Sequence, residues 1–247
     1  MIINKIEDVN LEEGSILLVN KPLRWTSFDV VNKLKYEIRQ LTNCKHFKIG
    51  HAGTLDPLAS GLLVVCVGKC TKQIEAIQSQ PKQYTGVFTI GATTASYDLE
   101  QQPEQFQPFE HITKQQIEAA ANSLTGTIEQ LPPIFSAVRI AGKRAFDYAR
   151  AEKEVTLQPK QVTIYSFKIN EIDLPKIAFD IRCSKGTYVR AIARDLGNLL
   201  GCGAYLSLLR RTKIGPLSVE YALDFTPFIN KDTEKQHNRK KRAFERE

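Results

Sequence analysis

Long hydrophobic runs are missing from this sequence of 247 residues, and we expect no targeting segment. Its apolar runs are all far shorter than the roughly 20 residues that a membrane-spanning helix needs. The first ten residues, MIINKIEDVN, lack the basic and then apolar order of a signal peptide. Hydrophobic residues make up 42% of the chain and charged residues 25%, as in ordinary globular proteins. We therefore expect a cytoplasmic protein that does not bind a membrane.

The sequence also lacks cysteine pairs with the spacing of redox motifs or metal sites. Its five cysteines are odd in number and include no CxxC pair, so we expect reduced thiols. Five residues could be combined into a zinc site, but their spacing fits no familiar ligand pattern: Cys44, His46, His51, Cys66 and Cys70. The stretch from Gly61 to Gly68-Lys69-Cys70 is not a phosphate-binding P-loop, because its glycines are too far apart and Cys replaces Ser or Thr. We expect no metal and no nucleotide cofactor.

Charge is unevenly distributed along the chain. The formal net charge is +7 and the pI is near 9.1, which allows a polyanionic partner without requiring one. Residues 182–213 contain seven Lys or Arg and one acid, whereas residues 98–129 contain six acids and one Lys. Such asymmetry is typical of a protein with one face for nucleic acid. A merely solvated surface explains it equally well on charge alone.

Hydrophobic periodicity predicts an α+β chain with many alternating strands and few helices. The strands are predicted at residues 16–19, 62–67, 82–91, 162–172, 177–183 and 206–211. Helices are predicted after an N-cap at Ser27, after Thr113, over residues 145–151, and after an N-cap at Thr187. Residues 93–109 are polar and predict a long surface loop. We expect one domain over residues 1–229 and a basic, flexible tail over residues 230–247.

The densest group of special residues is the loop GHAGTLDPLASG at residues 50–61, directly before the predicted strand at 62–67. Its glycines and its proline favour sharp turns. The loop carries one carboxylate, Asp56, and one imidazole, His51. An Asp before Pro in such a loop is usually a turn residue, and a single His is usually structural. A rigid strand that carries a glycine-bounded acid is also a plausible way to present a nucleophile.

The string GHAGTLDPLASGLLVVCVGKCTK resembles the signature of TruB-type tRNA pseudouridine synthases. Residues 21–27, KPLRWTS, resemble that family's KPxGxTS segment, although Asn20 replaces the usual Asp and Arg24 the usual Gly. Because a left-handed conformation costs Arg more free energy than Gly, the sequence leaves the backbone path of this loop undetermined. Residues 132–139 also resemble the family, with Phe135 where Tyr is usual. The resemblance implies the pseudouridine synthase fold, a mixed and mostly antiparallel sheet with a central active-site cleft, in a short form without a C-terminal RNA-binding PUA domain.

The resemblance implies an isomerase that breaks the glycosidic bond of a uridine, rotates the base and rejoins it through carbon. Asp56 corresponds to the catalytic acid, which either attacks the sugar or removes its 2′ proton. Arg190, in the segment CSKGTYVR, corresponds to the arginine that accompanies this acid. Lys21 belongs to the supporting KP segment. A phosphate contact or a helix-surface position is the alternative for Arg190.

Further positions correspond to substrate contacts of the family. Tyr84 matches a tyrosine that stacks on the target base, although a Tyr on an alternating strand is otherwise usually a core residue. Tyr188 and Leu209 match pocket positions, and Asp98 matches an acid that positions the arginine and the base. His51 matches the imidazole that fills the stack left by the flipped uridine. The basic segment adds four candidate phosphate contacts: Lys185, Arg194, Arg210 and Arg211.

Three functions remain open at this point. The first is a monomeric synthase that modifies the T-loop uridine at tRNA position 55 and needs no protein partner. The second is a chaperone that folds tRNA with the same surface and without catalysis. The third is a subunit of an RNA–protein particle, as in the related dyskerin proteins. The presence of Asp56, Tyr84 and Arg190 together favours the first.

Overall fold

The computed structural model describes residues 1–136, 139–140, 143–144 and 157–228. Its strands in chain order are β1 (Ile2–Ile3), β2 (Ser15–Lys21), β3 (Ile49–His51), β4 (Ala59–Val67), β5 (Lys82–Ile90), β6 (Gly126–Gln130), β7 (Arg139–Ile140), β8 (Lys143–Arg144), β9 (Lys160–Asp173), β10 (Lys176–Cys183), β11 (Ala204–Ile214), β12 (Leu217–Ser218) and β13 (Leu223–Asp224). The helices are α1 (Ser27–Thr42), α2 (Ile74–Ser79), α3 (Lys114–Ser123) and α4 (Val189–Leu200). The predicted helix at 145–151 and the predicted tail at 230–247 lie outside the described residues.

The chain divides into two compact units, Met1–Gln78 with Thr212–Glu247, and Ser79–Arg211. In the first unit, β2 pairs antiparallel with β4, and β3 also pairs antiparallel with β4. The short strands β1 and β13 pair parallel with β2. The end of β11 belongs to this unit and pairs antiparallel with β12. Its sheet is therefore mixed.

Both faces of β2 and β4 are buried, which explains why residues 62–67 form an uninterrupted apolar run. Alternate residues on one face, including Leu17 and Leu63, form a core cluster with residues of α1 such as Leu34. Leu18 and Val64 belong to a separate cluster on the opposite face. The predicted strands at 16–19 and 62–67 are confirmed, and β4 begins earlier, at Ala59.

The start of α1 corrects the predicted N-cap. Thr26, not Ser27, is the N-cap, because its hydroxyl accepts a hydrogen bond from the backbone N–H of Asp29, and the Asp29 carboxylate accepts one from the Thr26 N–H. This reciprocal arrangement is a capping box. The hydroxyl of Ser27 turns instead toward the backbone of Leu55. Phe28, in the first turn of this helix, is 67% exposed.

In the second unit, β6, β9, β10 and β5 form consecutive antiparallel pairs. The hydroxyl of Ser207 on β11 donates to the Val87 carbonyl of β5, with a donor–acceptor distance of 3.1 Å. Phe88 and Phe179 stack with ring centroids 4.0 Å apart in the core of this unit. Helix α3 packs against α4 and β9. The predicted α+β class and the mostly antiparallel, mixed sheet are confirmed.

Two local predictions in this unit are wrong. Thr187 does not cap α4, since its hydroxyl donates to the Ser184 carbonyl within the preceding turn, and Tyr188 is the N-cap. Residues 93–109 form a loop, but three of its polar residues are buried rather than on the surface: Thr94, Ser96 and Asp98. Their hydrogen bonds with one another make this burial possible.

No helix within the described ranges has both the length and the apolar character needed to cross a bilayer.

Candidate active site

The loop that carries Asp56 is held through the backbone of its neighbours. The Ser27 hydroxyl accepts a hydrogen bond from the Leu55 N–H at 2.8 Å and donates one to the Leu55 carbonyl at 3.0 Å. The Pro57 carbonyl accepts from the backbone N–H of Arg24 at 2.7 Å. Both peptide neighbours of Asp56 are thus anchored to α1 or to the segment before it. Asp56 itself is half-buried, and the backbone is anchored on both sides of it.

Two glycines on either side of Asp56 have positive φ angles. Gly53 has φ of +112° and Gly61 has φ of +101°, in a region that favours glycine over residues with a side chain. Between them, the Asp56 carbonyl accepts a hydrogen bond from the Ala59 N–H at 3.0 Å and so begins a tight turn. The two glycines therefore hold backbone conformations on either side of Asp56 that a residue with a side chain adopts only at a cost, and Gly61 does so within β4, where it pairs with Lys21.

Lys21 ties the segment after β2 to the Asp56 loop. Its side chain is fully buried, and its ammonium donates to the carbonyls of Trp25 at 2.6 Å, Pro22 at 2.9 Å and Pro57 at 3.4 Å. Three carbonyl acceptors match the three donors of an ammonium group. Lys21 therefore anchors the backbone next to Asp56, and its supporting role in the reaction stays a prediction.

Arg24, which stands where the family has glycine, takes the conformation that glycine would take. Its φ is +66°, in the left-handed region. This conformation aims the Arg24 N–H at the Pro57 carbonyl. The open question about the path of this loop is thus answered: the backbone keeps a glycine-like turn at a residue with a side chain.

His51, five residues before Asp56, lies on β3. It is half-buried, and its backbone pairs with Val65 of β4.

Arg190 lies in the second unit at the centre of a buried polar network. It is 6% exposed, and its Nε lies 3.5 Å from Oδ2 of Asp98. Its Nη1 donates to the Ser96 carbonyl at 3.2 Å and its Nη2 to the Phe135 carbonyl at 2.9 Å. Asp98 Oδ1 accepts from the Ser96 hydroxyl at 2.6 Å and from the Glu100 N–H at 3.0 Å. The predicted pair of Arg190 and Asp98 is therefore brought together.

The aromatic and apolar candidates occupy two adjacent strands and a helix start in this unit. Tyr84, 9% exposed, lies on β5 opposite Ile181 of β10, and Leu209, 7% exposed, lies on β11. Tyr188 is the N-cap of α4. The strands β5 and β11 approach closely at Gly86, where an added Cβ would lie 2.3 Å from the Leu208 carbonyl oxygen. Asp56, His51 and Lys21 belong to the first unit and all the remaining candidates to the second.

The four candidate phosphate contacts differ in exposure. Lys185 is exposed and Arg210 is half-buried. Arg194 is paired with Asp195 at 2.8 Å, donates to the Leu131 carbonyl at 3.0 Å, and lies 5.3 Å from the Tyr97 ring centroid. Arg211 is only 1% exposed, so a phosphate could reach its guanidinium only if the surrounding structure opened.

Three residues that contact the candidate site or lie beside one of its residues were not identified as site residues from the sequence: Ser27, Gln130 and Lys82. Lys82 is 7% exposed, and burial together with the nearby Arg211 guanidinium lowers its pKa to about 8. Its position two residues before Tyr84, on the same face of β5, is visible in the alternating pattern. The hydrogen bonds of Ser27 with Leu55 and of Gln130 with Tyr188 join distant segments, which no local pattern reveals.

Thiol chemistry is suppressed by burial. Burial raises the pKa of Cys66 and of Cys183 to about 11 in each case, which keeps both side chains as neutral thiols near neutral pH.

Within the described part of the chain, no group of three or more His, Cys, Asp or Glu side chains is arranged to hold a metal ion.

Comparison with known proteins identifies the family. The profile described as "TruB family pseudouridylate synthase (N terminal domain)" matches residues 39–189, and "tRNA pseudouridylate synthase B C-terminal domain" matches residues 190–236. A protein named tRNA pseudouridine synthase B from Flavobacterium johnsoniae is 51% identical, with 87% of this chain and 95% of that protein aligned. Its namesake from Phocaeicola vulgatus is 46% identical over 89% of this chain and 94% of that protein.

Solved structures share the fold. The structure titled "Crystal Structure of a Cbf5-Nop10-Gar1 Complex" contains a chain that is 26% identical with a TM-score of 0.65, covering 90% of this chain and 55% of that one. A chain of the archaeal box H/ACA sRNP Nop10-Cbf5 complex is 23% identical with a TM-score of 0.62, covering 91% and 57%. This protein thus spans just over half the length of those two chains. On the strength of the family profiles and its curated relatives, the chain belongs to the TruB family of pseudouridylate synthases.

Proposed function

We propose that this chain isomerises the T-loop uridine at position 55 of tRNA to pseudouridine, with Asp56 as the catalytic carboxylate. In this reaction the bond between N1 and C1′ breaks and a bond between C5 and C1′ forms. The C5 proton is lost and N1 gains one, so atoms balance without a redox partner. The observation that carries the proposal is the anchoring of both peptide neighbours of Asp56. Such anchoring limits the motion of a nucleophile or base, and so favours a reactive geometry.

The buried network supports a charged role for Arg190. Its guanidinium is held by Asp98 and by two carbonyls, so its orientation is fixed before any substrate binds. We propose that this fixed cation favours the ionised form of the catalytic acid during the reaction. Asp98 is then a positioning residue that acts through Arg190.

Tyr84, Tyr188, Leu209 and His51 complete the proposal as substrate contacts. Stacking of an extruded base on an aromatic ring is worth roughly 1–3 kcal/mol, which helps offset the cost of unstacking the uridine. We propose this role for Tyr84. Tyr188 and Leu209 contact the flipped nucleotide, and His51 fills the space that it leaves.

The test is pseudouridine formation on an unmodified tRNA transcript that is incubated with the purified chain alone. Carbodiimide mapping locates the product, and mass spectrometry of digested RNA measures it. Asp56→Asn keeps the size of the side chain, and we expect product formation to fall by about 10⁴-fold or more while tRNA binding stays close to that of wild type. Asp29→Asn makes the same chemical change at the exposed cap of α1 and serves as the control.

Each outcome separates the candidate functions. Wild-type turnover in Asp56→Asn would remove Asp56 from the chemistry. Binding and folding of tRNA without pseudouridine formation, in wild type and variant alike, would favour the chaperone. Activity that appears only with added proteins and a guide RNA would favour the particle subunit and would contradict a monomeric enzyme acting alone on tRNA. We also expect an isolated T-arm hairpin to be modified.

The basic residues of the second unit are proposed to contact RNA phosphates. Each lost phosphate contact flattens the dependence of log affinity on log salt by about 0.7 for single-stranded RNA. We expect the largest change for the exposed Lys185→Ala. Smaller changes are expected for Arg210→Ala and Arg194→Ala, and the smallest for the buried Arg211→Ala. Unchanged slopes in all four variants would place the RNA-binding surface elsewhere.

A further inference from the structure

The N-terminus of α4 is capped differently from those of α1 and α3. Helix α1 has a capping box from Thr26 and Asp29, and α3 has one from Thr113 and Gln116. The N-cap of α4, Tyr188, makes no side-chain cap hydrogen bond. Its carbonyl still accepts from the N–H groups of the first turn, including that of Ile192 at 3.2 Å. The helix that carries Arg190 therefore lacks the local device that fixes the start of the other two helices.

Gln130 supplies a substitute from the end of β6, 58 residues earlier in the chain. Its Oε1 accepts from the Tyr188 N–H at 2.8 Å, and its Nε2 donates to the Tyr188 carbonyl at 3.2 Å. Gln130 is only 1% exposed. A carboxamide carries a donor and an acceptor side by side, so it can pair with both polar groups of one residue's backbone. No charged side chain offers that combination at neutral pH.

The segment that follows Gln130 strengthens this attachment. The Leu131 carbonyl accepts from Nη1 of Arg194 at 3.0 Å, and the Phe135 carbonyl accepts from Nη2 of Arg190 at 2.9 Å. Residues 130–135 thus contact α4 at its N-cap and at two arginines within its first six residues. Arg190 has additional contacts with Asp98 and Ser96, whereas Gln130 holds the backbone of Tyr188 through two hydrogen bonds.

We propose that Gln130 is a positioning residue, which holds Tyr188 where it meets the target nucleotide. The inference rests on the proposed function, because it assumes that Tyr188 contacts the substrate. Gln130 does not touch the substrate itself. Loss of its two hydrogen bonds shifts the Tyr188 backbone, and a displacement on the order of 1 Å in a group that contacts the substrate can lower the rate about 10²-fold.

The test measures single-turnover kinetics and hairpin affinity with the full chain and a T-arm hairpin. Gln130→Met keeps the volume of the side chain and removes both hydrogen bonds. We expect the rate at saturating RNA to fall by about 10²-fold, with the Kd for the hairpin close to wild type. In a Tyr188→Ala background, the same Gln130→Met change should cause little further loss, because coupled residues give non-additive effects.

Ser15→Ala is the matched control. Ser15 is fully buried, and its hydroxyl also bonds to the backbone N–H and carbonyl of one residue, Asn10. We expect this variant to lose stability without losing rate. If wild type is active and Gln130→Met lowers only the melting temperature, as Ser15→Ala does, or if its rate effect is undiminished in the Tyr188→Ala background, the positioning role is wrong. If wild type makes no pseudouridine on the hairpin or on tRNA, the proposed function itself has failed.

Discussion

The Asp56 loop and the Arg190 network are fixed by opposite means. The loop is held at its backbone, where Ser27, Lys21 and the Arg24 N–H bind the groups on either side of Asp56. The network is held at its side chains, where the guanidinium of Arg190 meets the carboxylate of Asp98 and two carbonyls. Hydrogen bonds to backbone groups hold the Asp56 loop, and a buried ion pair holds the Arg190 guanidinium.

This difference has energetic consequences. Hydrogen bonds between neutral groups contribute about 1 kcal/mol each, and losing one partner costs the desolvation of the other. A buried ion pair contributes little net stability, but removing one member leaves an unpaired buried charge at a much larger cost. We therefore expect single substitutions in the Arg190 network to lower the free energy of unfolding more than single substitutions at the contacts of the Asp56 loop.

Arg190→Met should have the largest effect on stability. The Arg190 and Asp98 side chains are 7% and 6% exposed, so removal of the guanidinium leaves a carboxylate with little access to water. We expect a loss of about 3–5 kcal/mol in the free energy of unfolding. Urea denaturation followed by circular dichroism measures it. The double variant Arg190→Met with Asp98→Asn should recover part of the loss, because it removes the unpaired charge.

A small loss in Arg190→Met, with no recovery in the double variant, would show that Asp98 does not depend on this partner. The contrast between an ion-paired network and a loop held at its backbone would then be wrong.

Ser27→Ala should have an intermediate effect and should act on the Asp56 loop. It leaves the N–H and carbonyl of the buried Leu55 without the hydroxyl that satisfies both. We expect a loss of about 1–3 kcal/mol in stability. A fall in the rate of pseudouridine formation should accompany it, because Leu55 directly precedes Asp56. Denaturation and single-turnover assays on the same preparation measure both.

The neighbouring substitution Thr26→Ala distinguishes an effect on the Asp56 loop from an effect on helix α1. Thr26 caps α1 and has no recorded hydrogen bond to the Asp56 loop within the described residues. Its loss should cost about 1 kcal/mol of stability, with the rate unchanged. Equal effects on rate in the two variants would mean that Ser27 acts on the helix rather than on the loop.

These contacts mark the limit of what sequence alone could predict. The β4 run and the Thr113 cap were predictable, because apolar continuity and cap spacing act over a few residues. The cap of α1 was predicted one residue too late, since Thr26 and Ser27 are both good N-caps and only the contact with Leu55 distinguishes them. The capping of α4 by Gln130 joins residues 58 positions apart. Resemblance located Asp56, Arg190, Asp98 and Lys21, whereas the contacts of Ser27 with Leu55 and of the Ser96 and Phe135 carbonyls with Arg190 depend on tertiary packing.

Arg24→Gly should have the smallest effect, and it should be stabilising. A residue with a side chain at φ of +66° costs about 1–2 kcal/mol relative to the right-handed region, and glycine avoids this cost. Glycine also loses more backbone entropy on folding, which offsets roughly 0.5–1 kcal/mol. We therefore expect the free energy of unfolding to rise by about 0.5–1 kcal/mol, with the hydrogen bond from residue 24 to the Pro57 carbonyl retained and the rate unchanged.

Arg24→Ala is the control for this prediction. It removes the same exposed side chain but keeps the strained conformation, so it should show no gain in stability. A melting temperature that rises equally in both variants would trace the effect to the lost charge, and a fall in Arg24→Gly alone would show that the arginine side chain stabilises the turn.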